Sequence, residues 1–269
     1  MWMNIIFMIL GFLITLFLTP MCLHLLCEGE CIRKNYKGED IPVSAGIVFI
    51  PVIVILIIFS LLFQSKEILF SFLFLSGALG MGLAGLMDDL LGNRNVTGLK
   101  GHIKMMFKGK LTTGGFKAAF GGLIALTISM ILSKDYTNII INTILIALFT
   151  NFINLLDLRP GRAAKGFLLS AVVLLIQPMA QIFRMLLLGV MGASCAYIPY
   201  DLKAKTMMGD VGSNILGISL GITCATLSFK IRVIALIFLI GIHIYTEKYS
   251  LTKTIEKVKI LKFLDELGR

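Results

Sequence analysis

Nine stretches of this chain carry at most a stray charge: residues 2–26, 44–63, 68–87, 116–133, 136–156, 166–182, 185–200, 211–229 and 233–245. The run at 68–87 sets the scale, because about 20 apolar residues at 1.5 Å rise cover the roughly 30 Å hydrocarbon thickness of a bilayer. The pattern predicts an all-α polytopic membrane protein with about nine transmembrane helices. Two runs fit less simply: Gln177-Pro178 or Arg184 marks the turn of a tight hairpin within 166–200, and 233–245 is short for a span. The first run is span-length and shows no small-residue cleavage site, so it is read as a retained helix.

Composition sharpens this picture. The chain is 57% hydrophobic and 15% charged, with a mean hydropathy of +0.93, far more apolar than a soluble domain. No polar linker or repeat divides it, so residues 1–246 are taken as one membrane domain and 247–269 as an appended helix. The net charge of +10 reflects topology rather than nucleic acid, since 19 of the 25 Lys and Arg fall between alternate runs and in the tail. The positive-inside rule then predicts a multi-pass protein of the cytoplasmic membrane, N-terminus outside and C-terminus inside. The five cysteines lie in spans or near the inner face, and Cys22, His24, Cys27 and Cys31 match no common zinc spacing. The sequon Asn95-Val96-Thr97 falls on the same inner side and is set aside.

With that topology the unusual polar residues gather at one face. Asp88 and Asp89 end the third run, where acids oppose the helix dipole and usually mark a site. Asn151, Asn154 and Asp157 end the fifth, followed by the turn Arg159-Pro160-Gly161-Arg162 and Lys165. Asp210, ahead of Gly212 and Ser213, looks like the N-cap of the eighth run. Each has a plain alternative: solvated helix end, interhelical hydrogen bond, topology anchor. Four carboxylates beside a ring of cations point instead to a metal and phosphate site, because Mg²⁺ typically takes one or two carboxylates plus substrate phosphate oxygens.

Four segments, MDD (87–89), GLKGHIK (98–104), NFINLLD (151–157) and MMGDVGSNILG (207–217), carry a resemblance to the polyprenyl-phosphate N-acetylhexosamine-1-phosphate transferases, with this chain as a short, divergent member. The resemblance spans about residues 33–245. It implies transfer of a phospho-sugar from a nucleotide-activated sugar, expected to be a UDP-N-acetylhexosamine, to a polyprenyl phosphate such as undecaprenyl phosphate. That is the first membrane step of a cell-envelope glycan pathway. It further implies Mg²⁺ as cofactor with Asp210 as its principal ligand. Asp88 and Asp89 would handle acceptor phosphate and metal, Lys104 would hold phosphate charge, and Asn151, Asn154 and Asp157 would line the donor side. Lys37, Gly209 and Ser213 are counted with the substrate-binding set, and a homodimer is left open.

The departures from the family pattern concern the donor. Pro160 stands where the family has a second aspartate, the loop 37–46 follows its family counterpart only loosely, and Met207 replaces an aromatic residue. No histidine-rich loop or tenth span follows the ninth run. Ile255, Val258, Leu261 and Leu264 repeat there at helical spacing, which predicts an amphipathic helix on the inner surface or over the site. Arg159 and Arg162, with Lys165, are therefore expected to grip the donor diphosphate together. Two other readings compete: a noncatalytic relative that binds lipid phosphate or a membrane partner, and a transporter. The transporter is disfavoured because the acids sit at span ends, not the midplane.

Overall fold

A computed structural model describes residues 2–63, 67–92, 101, 105 and 108–269. Lys104, most of the 98–104 motif and the sequon at Asn95 lie outside the described residues. Each of the nine apolar runs becomes a helix: α1 (Trp2–Glu28), α2 (Phe49–Phe63, entered through a 3₁₀ turn at Ala45–Val48), α3 (Ile68–Leu91), α4 (Thr113–Leu132), α5 (Tyr136–Leu156), α6 (Arg162–Leu175), α7 (Gln181–Leu202), α8 (Gly209–Ala225) and α9 (Phe229–Lys248). Among the described residues, seven helices are long and apolar enough to cross a membrane. The other two, α6 with 14 residues and α8 with 17, are shorter.

Helix α8 is the hub. Every residue from Val211 to Ala225 is buried, so its polar Ser213, Asn214, Ser219 and Thr223 face protein rather than lipid. Neighbouring helices approach its backbone closely because small residues permit it. A Cβ on Gly85 of α3 would lie 2.4 Å from the Asp210 carbonyl oxygen, so nothing larger than glycine fits that crossing. The hairpin within 166–200 turns at Gln177-Pro178. Arg184 does not make the turn but closes it, donating to the carbonyls of Leu175 at 2.8 Å and Gln177 at 3.0 Å, which the end of α6 leaves free.

The chain is nearly all-α as expected, with one addition: Ile32–Lys34 (β1) and Asp40–Pro42 (β2) form an antiparallel hairpin between α1 and α2. Asn35 organises its turn, its side-chain oxygen accepting from the N–H groups of Lys37 and Glu39. One expectation is corrected, for the tail is not one helix: Val258, in extended conformation, separates α10 (Leu251–Lys257) from α11 (Lys259–Glu266).

The hairpin bears on the site through its exit. Met207 N–H donates to Pro42 O at 2.8 Å, and Ala45 and Gly46 donate to the carbonyls of Met207 and Met208 at 3.0 and 2.9 Å. These bonds fix the segment entering α8 against the start of α2. One end of the bundle thus collects the C-terminal ends of α3, α5, α7 and α9 and the N-terminal ends of α4 and α8.

Candidate active site

A cavity of about 1040 Å³ opens at that end, lined by residues from each of these elements and from the hairpin. On its wall Lys117, from the first turns of α4, lies between two carboxylates. Its ammonium donates to Asp88 Oδ2 at 2.9 Å and to Asp210 Oδ2. The three side chains are 17 to 25% exposed, buried enough to hold their geometry and open enough to meet a ligand. The Asn154 amide completes the group when its nitrogen faces Asp210 Oδ1 at 2.8 Å and its oxygen faces Lys117 at 3.2 Å, the orientation that satisfies both. Ser213 Oγ lies 3.1 Å from the same amide.

Asp89 does different work from its neighbour. It is 7% exposed, and its carboxylate accepts from Ser44 Oγ at 2.9 Å, Asp210 N–H at 2.9 Å and Val211 N–H at 3.2 Å. A side chain from α3 therefore caps the first turn of α8, where free N–H groups and the helix dipole favour a negative charge. This replaces the expectation that Asp210 is the cap: α8 begins one residue earlier, and the Asp210 side chain turns to Lys117. Gly209 makes the approach feasible. Its φ is +73°, and a Cβ there would lie 2.4 Å from Asp89 Oδ2.

Asp157 follows the last residue of α5 and lines the cavity with Asp201. Burial, then the charges of Asp201, Asp210 and Asp89, push its carboxyl well above the usual range. Asp201 is 3% exposed and accepts from Gly161 N–H at 2.9 Å, tying the 159–162 turn to α7.

That turn does not converge on one anion. Arg159 lines the cavity, its guanidinium 5.1 Å from the Tyr36 ring centre. Arg162 points away and is 5% exposed, paired with both Asp265 oxygens at 2.8 and 2.9 Å and with Thr252 Oγ1 at 3.0 Å. Lys165 donates to the carbonyls of Leu264 and Asp265 at 3.1 and 2.7 Å. The expected joint clamp is thus corrected, because the tail consumes two of its three cations. Burial raises the Asp265 carboxyl, but Arg162 and Arg269 outweigh it and leave the group below the usual range.

Of the residues singled out in the sequence, Asp88, Asp89, Asn151, Asp157, Arg159, Gly209 and Asp210 line the cavity. Asn154 and Ser213 stand just behind it, whereas Lys37 is exposed on the hairpin turn, 5.6 Å from the Tyr36 ring centre. Sequence reasoning missed Lys117 and Asp201. Lys117 had a signal, as the charge interrupting the 116–133 run, and Asp201 resembles the other acids that end spans.

The donor set fits a divalent cation. Asp88 and Asp210 each keep one carboxylate oxygen off Lys117, and hard oxygen donors suit Mg²⁺. No group of three or more ligating side chains occurs among the described residues, so phosphate oxygens or water would have to complete the coordination. Among the described residues the cavity is lined by six carboxylates and the four cations Arg33, Lys34, Lys117 and Arg159, a mixed lining suited to a cation shared with an anionic ligand.

A family model described as glycosyl transferase family 4 matches residues 69–230, from the start of α3 to the start of α9. The match contains the whole Asp88–Lys117–Asp210 group. No curated protein matches the chain.

Proposed function

The chain belongs to glycosyl transferase family 4, and from that premise we propose that it transfers a phospho-sugar from a UDP-N-acetylhexosamine to a polyprenyl phosphate at the cytoplasmic face of the membrane. Membership makes it a multi-pass transferase of phosphosugars to lipid phosphate in general terms. The observation that carries the finer reading is the Asp88–Lys117–Asp210 group on the wall of an open cavity.

In the reaction an oxygen of the acceptor phosphate attacks the β-phosphorus of the donor. The bond from that phosphorus to the bridging oxygen breaks, and UMP leaves with the oxygen. Both partners are anions, so catalysis is mainly positioning and charge neutralisation. Asp88 and Asp210 would hold Mg²⁺, which supplies positive charge against the phosphate oxygens when bound. Lys117 keeps the two carboxylates from repelling each other and offers a further cation to phosphate. Asp89 acts indirectly by fixing the first turn of α8, and hence Asp210. Arg159, braced on Tyr36 at the cavity wall, is the cation of the turn that remains for the donor diphosphate.

Purified protein incubated with Mg²⁺, undecaprenyl phosphate and sugar-labelled UDP-N-acetylhexosamines should move label into the organic phase. Asp210→Asn and Lys117→Met should abolish this while remaining folded. Folded wild-type protein inactive with every donor would overturn the proposal in favour of a noncatalytic binder.

A further inference from the structure

The end of the bundle opposite the active site, where α5, α7 and α9 begin and α4 and α8 finish, holds a second cavity of about 500 Å³. Arg232 of α9 lines it, only 9% exposed, in a way that leaves its charge poorly answered. A guanidinium has five N–H donors. Here Nη1 donates to Asn142 Oδ1 at 2.8 Å, Nε has no hydrogen-bond partner, and the Phe229 ring centre lies 5.7 Å from Cζ. Asn142 is 1% exposed, and its amide nitrogen donates to Ser133 Oγ at 2.8 Å, which holds its oxygen towards Arg232.

The acid in the lining is Asp135, and its carboxylate is already used. It caps α5, accepting from Asn138 N–H at 2.9 Å and from the Asn138 side-chain nitrogen at 2.6 Å, and among the described residues it answers Arg232 only at longer range, without an ion pair. Lys134 adds a second cation. A buried guanidinium without a paired anion is costly, so a cavity that keeps one is suited to an anion from outside. The neighbouring surface indicates its source. Along α9, Ile234, Ile237 and Phe238 are 54, 66 and 55% exposed on a membrane-length helix, a surface that suits acyl chains. Asn138 Oδ1 is a buried acceptor without a partner, which favours a headgroup bearing hydroxyls.

We propose that this cavity binds a phosphate group, that of a membrane phospholipid, with Arg232 as its anchor. The site is separate from the transfer chemistry and stands or falls independently of it.

Native mass spectrometry of the full chain in an uncharged detergent tests this, with phosphatidylglycerol in one arm and inorganic phosphate in the other. Wild type should retain one phosphatidylglycerol that Arg232→Met binds about tenfold or more weakly, as expected for loss of a charge-assisted anchor. Asn142→Asp should weaken it similarly while keeping the fold, because a nearly isosteric carboxylate then occupies the guanidinium from within. This variant decides the matter if Arg232→Met does not fold. Retention of inorganic phosphate instead, lost in the same variants, would support the site and assign it to a free anion. Equal binding of lipid and phosphate by all three proteins would overturn the proposal.

Discussion

Replacing Asp89 by Asn should destabilise the fold more than the same change at Asp88, although the two acids are adjacent. The Asp89 carboxylate receives three hydrogen bonds, with Oδ1 serving Asp210 N–H and Oδ2 serving Val211 N–H and Ser44 Oγ. An asparagine keeps one acceptor oxygen. Its NH₂ group must face either the Asp210 or the Val211 N–H, leaving a buried donor unpaired at a cost of about 1–3 kcal/mol. That cost is large against the usual margin of stability. Asp88 meets Lys117 and the Thr113 side chain, and an asparagine there keeps an acceptor oxygen while Lys117 keeps Asp210 as its partner, so its change should cost about 1 kcal/mol. Unfolding in detergent, followed by denaturant titration of both variants, measures the difference. If Asp89→Asn stays within about 0.5 kcal/mol of wild type, the capping role assigned to Asp89 is wrong.

Further outcomes separate the parts of the site. Lys117→Met should lower turnover at least about 100-fold, and Lys117→Arg should not restore it, since a forked guanidinium cannot replace a point charge between two carboxylates; steady-state kinetics on folded protein decides. Arg159→Lys should raise the donor KM, whereas Arg162→Lys should leave it nearly unchanged and loosen the tail, read by limited proteolysis after Lys257. Asp265→Ala should free the tail more fully, because it strands a guanidinium that is 5% exposed. The Asp265 carboxyl is depressed in the fold, so tail docking is fully present above the ordinary carboxylate range and lost as pH falls through the lower folded value. Proteolytic protection of the tail should fall in that acid window and not near neutrality. A cysteine placed at Lys259 should resist membrane-impermeant labelling from outside intact cells; ready reaction would reverse the topology.

The helices were legible because uncharged runs of span length leave the chain few alternatives. What the sequence hid depends on contacts between distant positions. The strands at 32–34 and 40–42 are three residues each within a charged stretch, too short for a period-two pattern to show. Asp88 and Asp89 look equivalent in the chain. They diverge only because α8 begins beside one of them, 121 residues further on. Lys117 reads as a topology charge until α3 and α8 bring carboxylates to either side of it. The Arg159–Arg162 turn reads as a phosphate clamp because its true partner, Asp265, lies 103 residues from Arg162 in a tail whose own pattern suggests only an amphipathic helix. The motif segments 87–89, 151–157 and 207–217 survive this because they gather acids at one end of the bundle, and that gathering is what a phosphate site requires.

The central claim is transfer of a phosphosugar rather than of a sugar alone, and the fate of one phosphorus atom decides it. Purified protein should be given a UDP-N-acetylhexosamine carrying radioactive phosphorus at the β position, with undecaprenyl phosphate and Mg²⁺. Phosphoglycosyl transfer predicts label in the lipid extract and unlabelled UMP in the aqueous phase. Label remaining in water as UDP, with the sugar on the lipid, would contradict the account.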